Sequence, residues 1–109
     1  MPPPGPSAQP ADAAAPTRFS VRGDLPVRRV GGQVHVMTPD GRIHTLDNPS
    51  AVAAWEALER AGMRGLDAPG LAEALVARFR VDPPAALRDA AAFLGALARV
   101  GLAAEEDRP

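Results

Sequence analysis

The chain has 109 residues, no cysteine and a formal net charge of −1. That bounds it to one domain, excludes disulfides, thiol catalysis and cysteine-held iron–sulfur clusters, and argues against a nucleic-acid binder driven by bulk charge. Hydrophobic residues make up 46% of the chain but aromatic ones only 4%, so the core must be small and built mostly from Leu, Val and Ala.

Residues 1–17, MPPPGPSAQPADAAAPT, are Pro- and Ala-rich with almost no large apolar side chains. They cannot bury enough surface to offset the entropy of ordering, which predicts a disordered arm. The folded unit is expected over 18–103, with 104–109 as an acidic tail. No apolar run is long enough to span a bilayer, and the N-terminus has neither the basic nor the apolar region of a secretory signal. A cytoplasmic location without membrane contact is therefore the default expectation.

Between Phe19 and Leu46 the pattern is one of strands and turns. Gly31-Gly32 lies between two short β-like runs, the signal for a tight two-residue hairpin. Pro39-Asp40-Gly41 suits a type I turn with Gly41 in the left-handed position of a bulge. Together they predict an antiparallel meander over about 26–30, 33–38 and 42–46. Placing Thr38 opposite Arg42 puts Val36 opposite His44 and Val34 opposite Leu46 on the core face. His35, Met37, Ile43 and Thr45 then occupy the other face.

From Pro49 onward the chain reads as helix. Asn48 is a good N-cap with Pro49 at the first helical position. The first helix carries Val52, Trp55 and Leu58 on one side and ends near Ala61-Gly62. A loop, MRGLDAPG, precedes a second helix marked by Leu71, Leu75 and Phe79. Asp82 with Pro83 starts a third, in the manner of Asn48 with Pro49, and Gly101 is placed to stop it near Val100. The fold class is α+β: a three-stranded antiparallel meander followed by three helices.

The apolar residues of the third helix spread over about half its circumference, wider than docking on one core requires. Either the helix is buried centrally on two sides, or one flank (Ala86, Asp89, Ala90, Phe93 and Val100) lines a groove beside the sheet. The pattern leaves both open and leans to the first, since alanine is also the best helix former.

Catalytic chemistry finds no support. His35 and His44 point to opposite faces in this register, so they do not share a metal. Ser20 and Ser50 lack a Gly-x-Ser-x-Gly setting, and the glycines form no phosphate-cradling loop. Asp47 is explained by loop polarity and the helix dipole. No catalytic residue, metal site or cofactor is expected, and the chain reads as a binding module.

The stretch GGQVHVMTPDGRIHTLDNPSAVAAWEAL resembles the sheet and first helix of the PqqD-like family, where a strand ending in Leu-Asn runs into a helix bearing a tryptophan. LAEALVARFRVDPPAALRDAAAFLGALARVGL resembles the remainder, with Asp89, Phe93, Leu94, Leu97, Gly101 and Leu102 at the family spacing. The likeness covers about residues 20–103. It departs at Leu46-Asp47-Asn48, at the longer loop ERAGMRGLDAPG and in the N-terminal arm, which leaves open whether the pathway is quinone-cofactor, lasso-peptide or other.

The family consists of RiPP recognition elements, winged helix-turn-helix-like domains that bind the leader segment of a ribosomally made precursor peptide. The resemblance implies a non-catalytic peptide chaperone that presents the leader to a modifying enzyme, such as a radical SAM enzyme or a leader peptidase. It implies that the leader adds as a strand along Arg42, Ile43, His44, Thr45 and Leu46, against Ala86, Asp89, Ala90 and Phe93. The residues agree in one respect: a meander in chain order leaves its third strand as an edge, here without proline or lysine to blunt it. Such an edge suits a monomer, or a homodimer if copies pair.

Two other readings compete with this one. A winged-helix DNA-binding regulator would need a basic recognition helix, whereas the third helix offers only Arg88 and Arg99 beside Asp89. The weaker option is a subunit that merely stabilises a partner enzyme.

Overall fold

The computed structural model describes residues 17–106. The disordered arm expected over 1–17 lies outside the described residues except for Thr17, as do residues 107–109 of the tail. The elements in chain order are β1 (Arg18–Val21), β2 (Val27–Val30), β3 (Gln33–Met37), β4 (Ile43–Leu46), α1 (Pro49–Ala61), α2 (Ala68–Arg78), α3 (Pro83–Arg99) and β5 (Ala103–Glu106).

The meander is present in the predicted order, β2-β3-β4, and the predicted register. Val34 lies opposite Leu46 and Val36 opposite His44. Gly31 has φ +60° in the first hairpin, a value only glycine adopts freely. In the second, the Gly41 N–H donates to the Thr38 carbonyl at 2.9 Å and Gly41 has φ +89°, which is the expected turn with its bulge. Val34 and Val36 are fully buried against the helices, and Met37 and Ile43 are exposed on the outer face.

α1 begins as predicted: the Asn48 side chain accepts from the Ala51 N–H at 2.8 Å with Pro49 behind it. α2 begins earlier than the sequence reading placed it. Asp67 caps it through a 2.7 Å bond from the Gly70 N–H, so Ala68, Pro69 and Gly70 are its first turn and not loop. α3 starts at Pro83, but the Asp82 side chain makes no cap bond, unlike Asn48. Trp55 and Leu58 of α1, Leu71 of α2, Leu94 of α3 and Leu102 form the centre of the core with the two valines.

A second sheet, β1 with β5, lies outside the meander that the sequence pattern predicts. The tail expected from residue 104 is in part a strand: Glu105 pairs with Phe19 and Ala104 with Ser20. The cause is the end of α3. Gly101 (φ +86°) donates to the Ala98 carbonyl at 3.2 Å and Leu102 to the Leu97 carbonyl at 2.9 Å, a Schellman turn that reverses the chain. Leu102 is then buried, and the residues after it are carried alongside β1 whatever their own propensity.

Candidate functional site

The hydrogen-bond phase of the meander decides what β4 has to offer. The Thr38 N–H donates to the Arg42 carbonyl at 2.8 Å, and the Met37 N–H to the Pro26 carbonyl at 3.1 Å. Antiparallel ladders alternate, so even-numbered residues of β3 bond to β4 and odd-numbered ones to β2. On β4 the paired residues are therefore His44 and Leu46. The N–H and C=O groups of Ile43 and Thr45 point away from the sheet, along an edge that no other strand among the described residues occupies.

Two features hold this edge in place. At one end the Asn48–Pro49 cap joins β4 to α1 with only Asp47 between strand and cap. At the other the buried Thr38 hydroxyl bonds the Asp40 carboxylate and accepts from the Arg42 N–H at 3.2 Å. The Thr38 hydrogen bond holds the Asp40 carboxyl below its ordinary value, against an opposing desolvation and with help from the Arg42 N–H and guanidinium. A depressed carboxylate stabilises the fold above its unfolded pKa and loses that contribution as pH falls through the folded value. Amide NMR shifts of Gly41 and Arg42 are expected to titrate below the usual carboxylate range, and Asp40→Asn should remove that titration.

Beside the edge lies a cleft of about 460 Å³ whose walls are Ile43–Asn48 on one side and Phe93, Ala96 and Leu97 of α3, with Val100 at its C-cap, on the other. A larger hollow of about 540 Å³ opens between the three helices, and the two share Asn48, Ala51 and Phe93. At 100° per residue, α3 presents two adjacent rows. Ala86, Ala90, Leu94 and Leu97 are buried in the core; Asp89, Phe93, Ala96 and Val100 face the hollows.

The nine residues named from the sequence divide accordingly. Ile43, His44, Thr45, Leu46 and Phe93 line the cleft; Asp89, Phe93 and the wholly buried Ala86 line the larger hollow. Ala90 is fully buried and forms no wall, a correction to its place on an open flank. Arg42 lies outside both hollows, its guanidinium 3.6 Å from Asp40 in solvent. Alanine occurs in both rows of α3, so residue type could not tell which row faced out. Ala96, Leu97 and Ala51 also line the cleft, beside Val100, which the sequence pattern marks on the same flank.

The histidines lie on opposite sheet faces as expected. His35 Nδ1 is 2.9 Å from Thr45 Oγ1 on the outer face. His44 Nε2 is buried on the cleft side, and among the described residues it has no protein hydrogen-bond partner.

Comparison with known proteins follows this geometry. No curated protein matches the chain. Two solved structures share its fold. One is TbiB1 in complex with the TbiA(beta) leader peptide, at TM-score 0.68 and 23% identity, covering 78% of this chain and 94% of that one. The other is a lasso peptide synthetase B1 complexed with the leader peptide, at TM-score 0.64 and 23% identity, covering 79% and 96%. The model of the family described as coenzyme PQQ synthesis protein D (PqqD) matches residues 32–103, from the second strand of the meander to the start of β5. With that span running through the open edge, the cap and both rows of α3, the chain belongs to the PqqD family.

Proposed function

We propose that this protein binds the leader region of a ribosomally synthesised precursor peptide by strand addition to β4 and presents it to a modifying enzyme, catalysing nothing itself. The observation that carries this reading is the outward backbone of Ile43 and Thr45 beside the cleft against α3. An extended peptide laid there satisfies the free N–H and C=O groups while alternate side chains enter the cleft. Membership of the PqqD family supports it, as does a shared fold with two proteins solved with leader peptides bound. The partner is a modifying enzyme of the radical SAM, leader-peptidase or similar class, in a cytoplasmic setting. No helix among the described residues is long and apolar enough to cross a membrane.

Titration of the full chain with a labelled leader peptide encoded beside its gene, and separately with duplex DNA, at two salt concentrations tests this. The expected result is saturable leader binding with no DNA affinity. Salt-dependent DNA binding without leader binding would reject the reading in favour of a winged-helix regulator.

A further inference from the structure

An adaptor that hands a peptide to an enzyme needs a second surface, clear of the one that holds the peptide. The end of α1 remote from the cleft offers one. α1 has 13 residues, so about 20 Å separate its Asn48 cap, which lines both hollows, from the short 3-10 turn Gly62–Arg64 that follows it. No residue of that turn lines either hollow. Met63 in the turn is 94% exposed, by far the most exposed large apolar side chain among the described residues.

A lone apolar side chain at a surface needs no explanation by itself. Two features set this one apart. The first is that its turn is clamped. The Gly65 N–H donates to the Gly62 carbonyl at 3.1 Å, the backbone of Leu66 exchanges two bonds with Phe19 of β1, and the Arg18 guanidinium lies 3.5 Å from the Arg64 and Gly65 carbonyls. The backbone beneath Met63 is thus set before any partner arrives, which lowers the cost of ordering it on binding. The second is charge. Arg60 and Arg64 flank Met63 in the chain and are exposed, Arg18 is held against the turn, and none of the three enters an ion pair among the described residues. The carboxylates closest in sequence are committed: Glu59 pairs with Arg29, and Asp67 accepts from the Gly70 N–H to cap α2. Glu106, cross-strand from Arg18, forms no ion pair with it.

The surface is an apolar knob among unpaired guanidiniums, and its complement is an apolar pocket with a carboxylate rim. A phosphate backbone would satisfy the arginines and leave Met63 in water. Methionine and arginine are both enriched where proteins meet, methionine because it adapts to the pocket it enters. We propose that the turn Gly62–Arg64 is the docking point for the modifying enzyme, which meets it with an apolar pocket rimmed by Asp and Glu. Naming that enzyme as the partner rests on the leader-binding reading. Leader and enzyme then sit at opposite ends of α1 and bind together without competing.

The test follows, by biolayer interferometry, binding of the full chain, saturated with leader peptide, to the purified modifying enzyme encoded beside its gene. Met63→Ser should weaken that binding roughly 10- to 100-fold, the worth of burying one large apolar side chain. Arg64→Glu should slow association several-fold and flatten its dependence on salt. Arg88→Glu, the same change of charge at an exposed position on α3, should do neither. All three positions are exposed, so melting temperature and leader affinity should match the parent's. A leader-loaded parent that does not bind the enzyme, or binding that Met63→Ser and Arg64→Glu leave intact, would overturn the docking point. An equal loss at Arg88 would overturn it too, since net charge alone would then explain the effect. Arg64→Glu removing an affinity for duplex DNA would overturn it in favour of a phosphate site. A parent that fails to bind leader counts against strand addition, while titration of the enzyme without leader still judges the docking point separately.

Discussion

Replacing Thr45 with proline is expected to abolish leader binding while leaving the fold standing. Thr45 lies opposite His35 at a pair that exchanges no ladder bonds, so its N–H points out of the sheet. Proline removes that donor and sets ring bulk on the edge, but takes no bond from β3. One backbone hydrogen bond is worth about 1 kcal/mol, and the displaced strand loses its neighbours too, so affinity should fall roughly 100-fold or more. The fold loses the contact of Thr45 with His35 on the exposed face, about 1 kcal/mol and so a few degrees in Tm. Arg29→Pro is the control on the far edge strand β2, where its N–H likewise points outward, although it also gives up the Arg29 ion pair with Glu59. Isothermal titration with the leader peptide, alongside thermal melts, decides the matter. A folded Thr45→Pro variant that binds as well as the parent places the site elsewhere.

Gly65→Ala should destabilise the domain by about 2 kcal/mol or more, lowering Tm by roughly 10 °C. Gly65 has φ +71°, and a Cβ built on it falls 2.5 Å from the Phe19 carbonyl oxygen. The neighbour is backbone and cannot turn aside. It is moreover engaged: Phe19 and Leu66 exchange hydrogen bonds of 2.8 and 2.9 Å, stitching β1 to the turn after α1. Relief of the clash would break that bridge and, through β1, strain the pairing with β5. The loss should appear in thermal melts with the leader affinity of the still-folded fraction unchanged, because neither hollow touches Gly65. By contrast Gly31→Ala meets nothing within 4 Å and pays only for its φ. Equal effects at the two glycines would refute the steric argument.

What could be read without coordinates was local. Each turn announces itself: Gly31-Gly32 and Pro39-Asp40-Gly41 allow few hairpin geometries, and with the alternation of Val34 and Val36 they determine the register and so which face of β4 is buried. Asn48-Pro49 starts a helix for reasons contained in those two residues. Asp67 with Pro69 carries the same kind of signal, an Asx cap followed by a proline in the first turn.

Two things belonged to the tertiary structure alone. Ala103–Glu106 has no strand propensity of its own and becomes β5 because the turn at Gly101 and the burial of Leu102 deliver it to β1. The outward row of α3 was likewise hidden. Alanines on every side of a helix make its wheel ambiguous, and only packing against α1, α2 and the sheet turns Ala90 inward while leaving Asp89, Phe93 and Val100 to face the hollows. Propensity and turn chemistry act over a few residues and are written in them; the choice of which face is covered depends on partners distant in the chain.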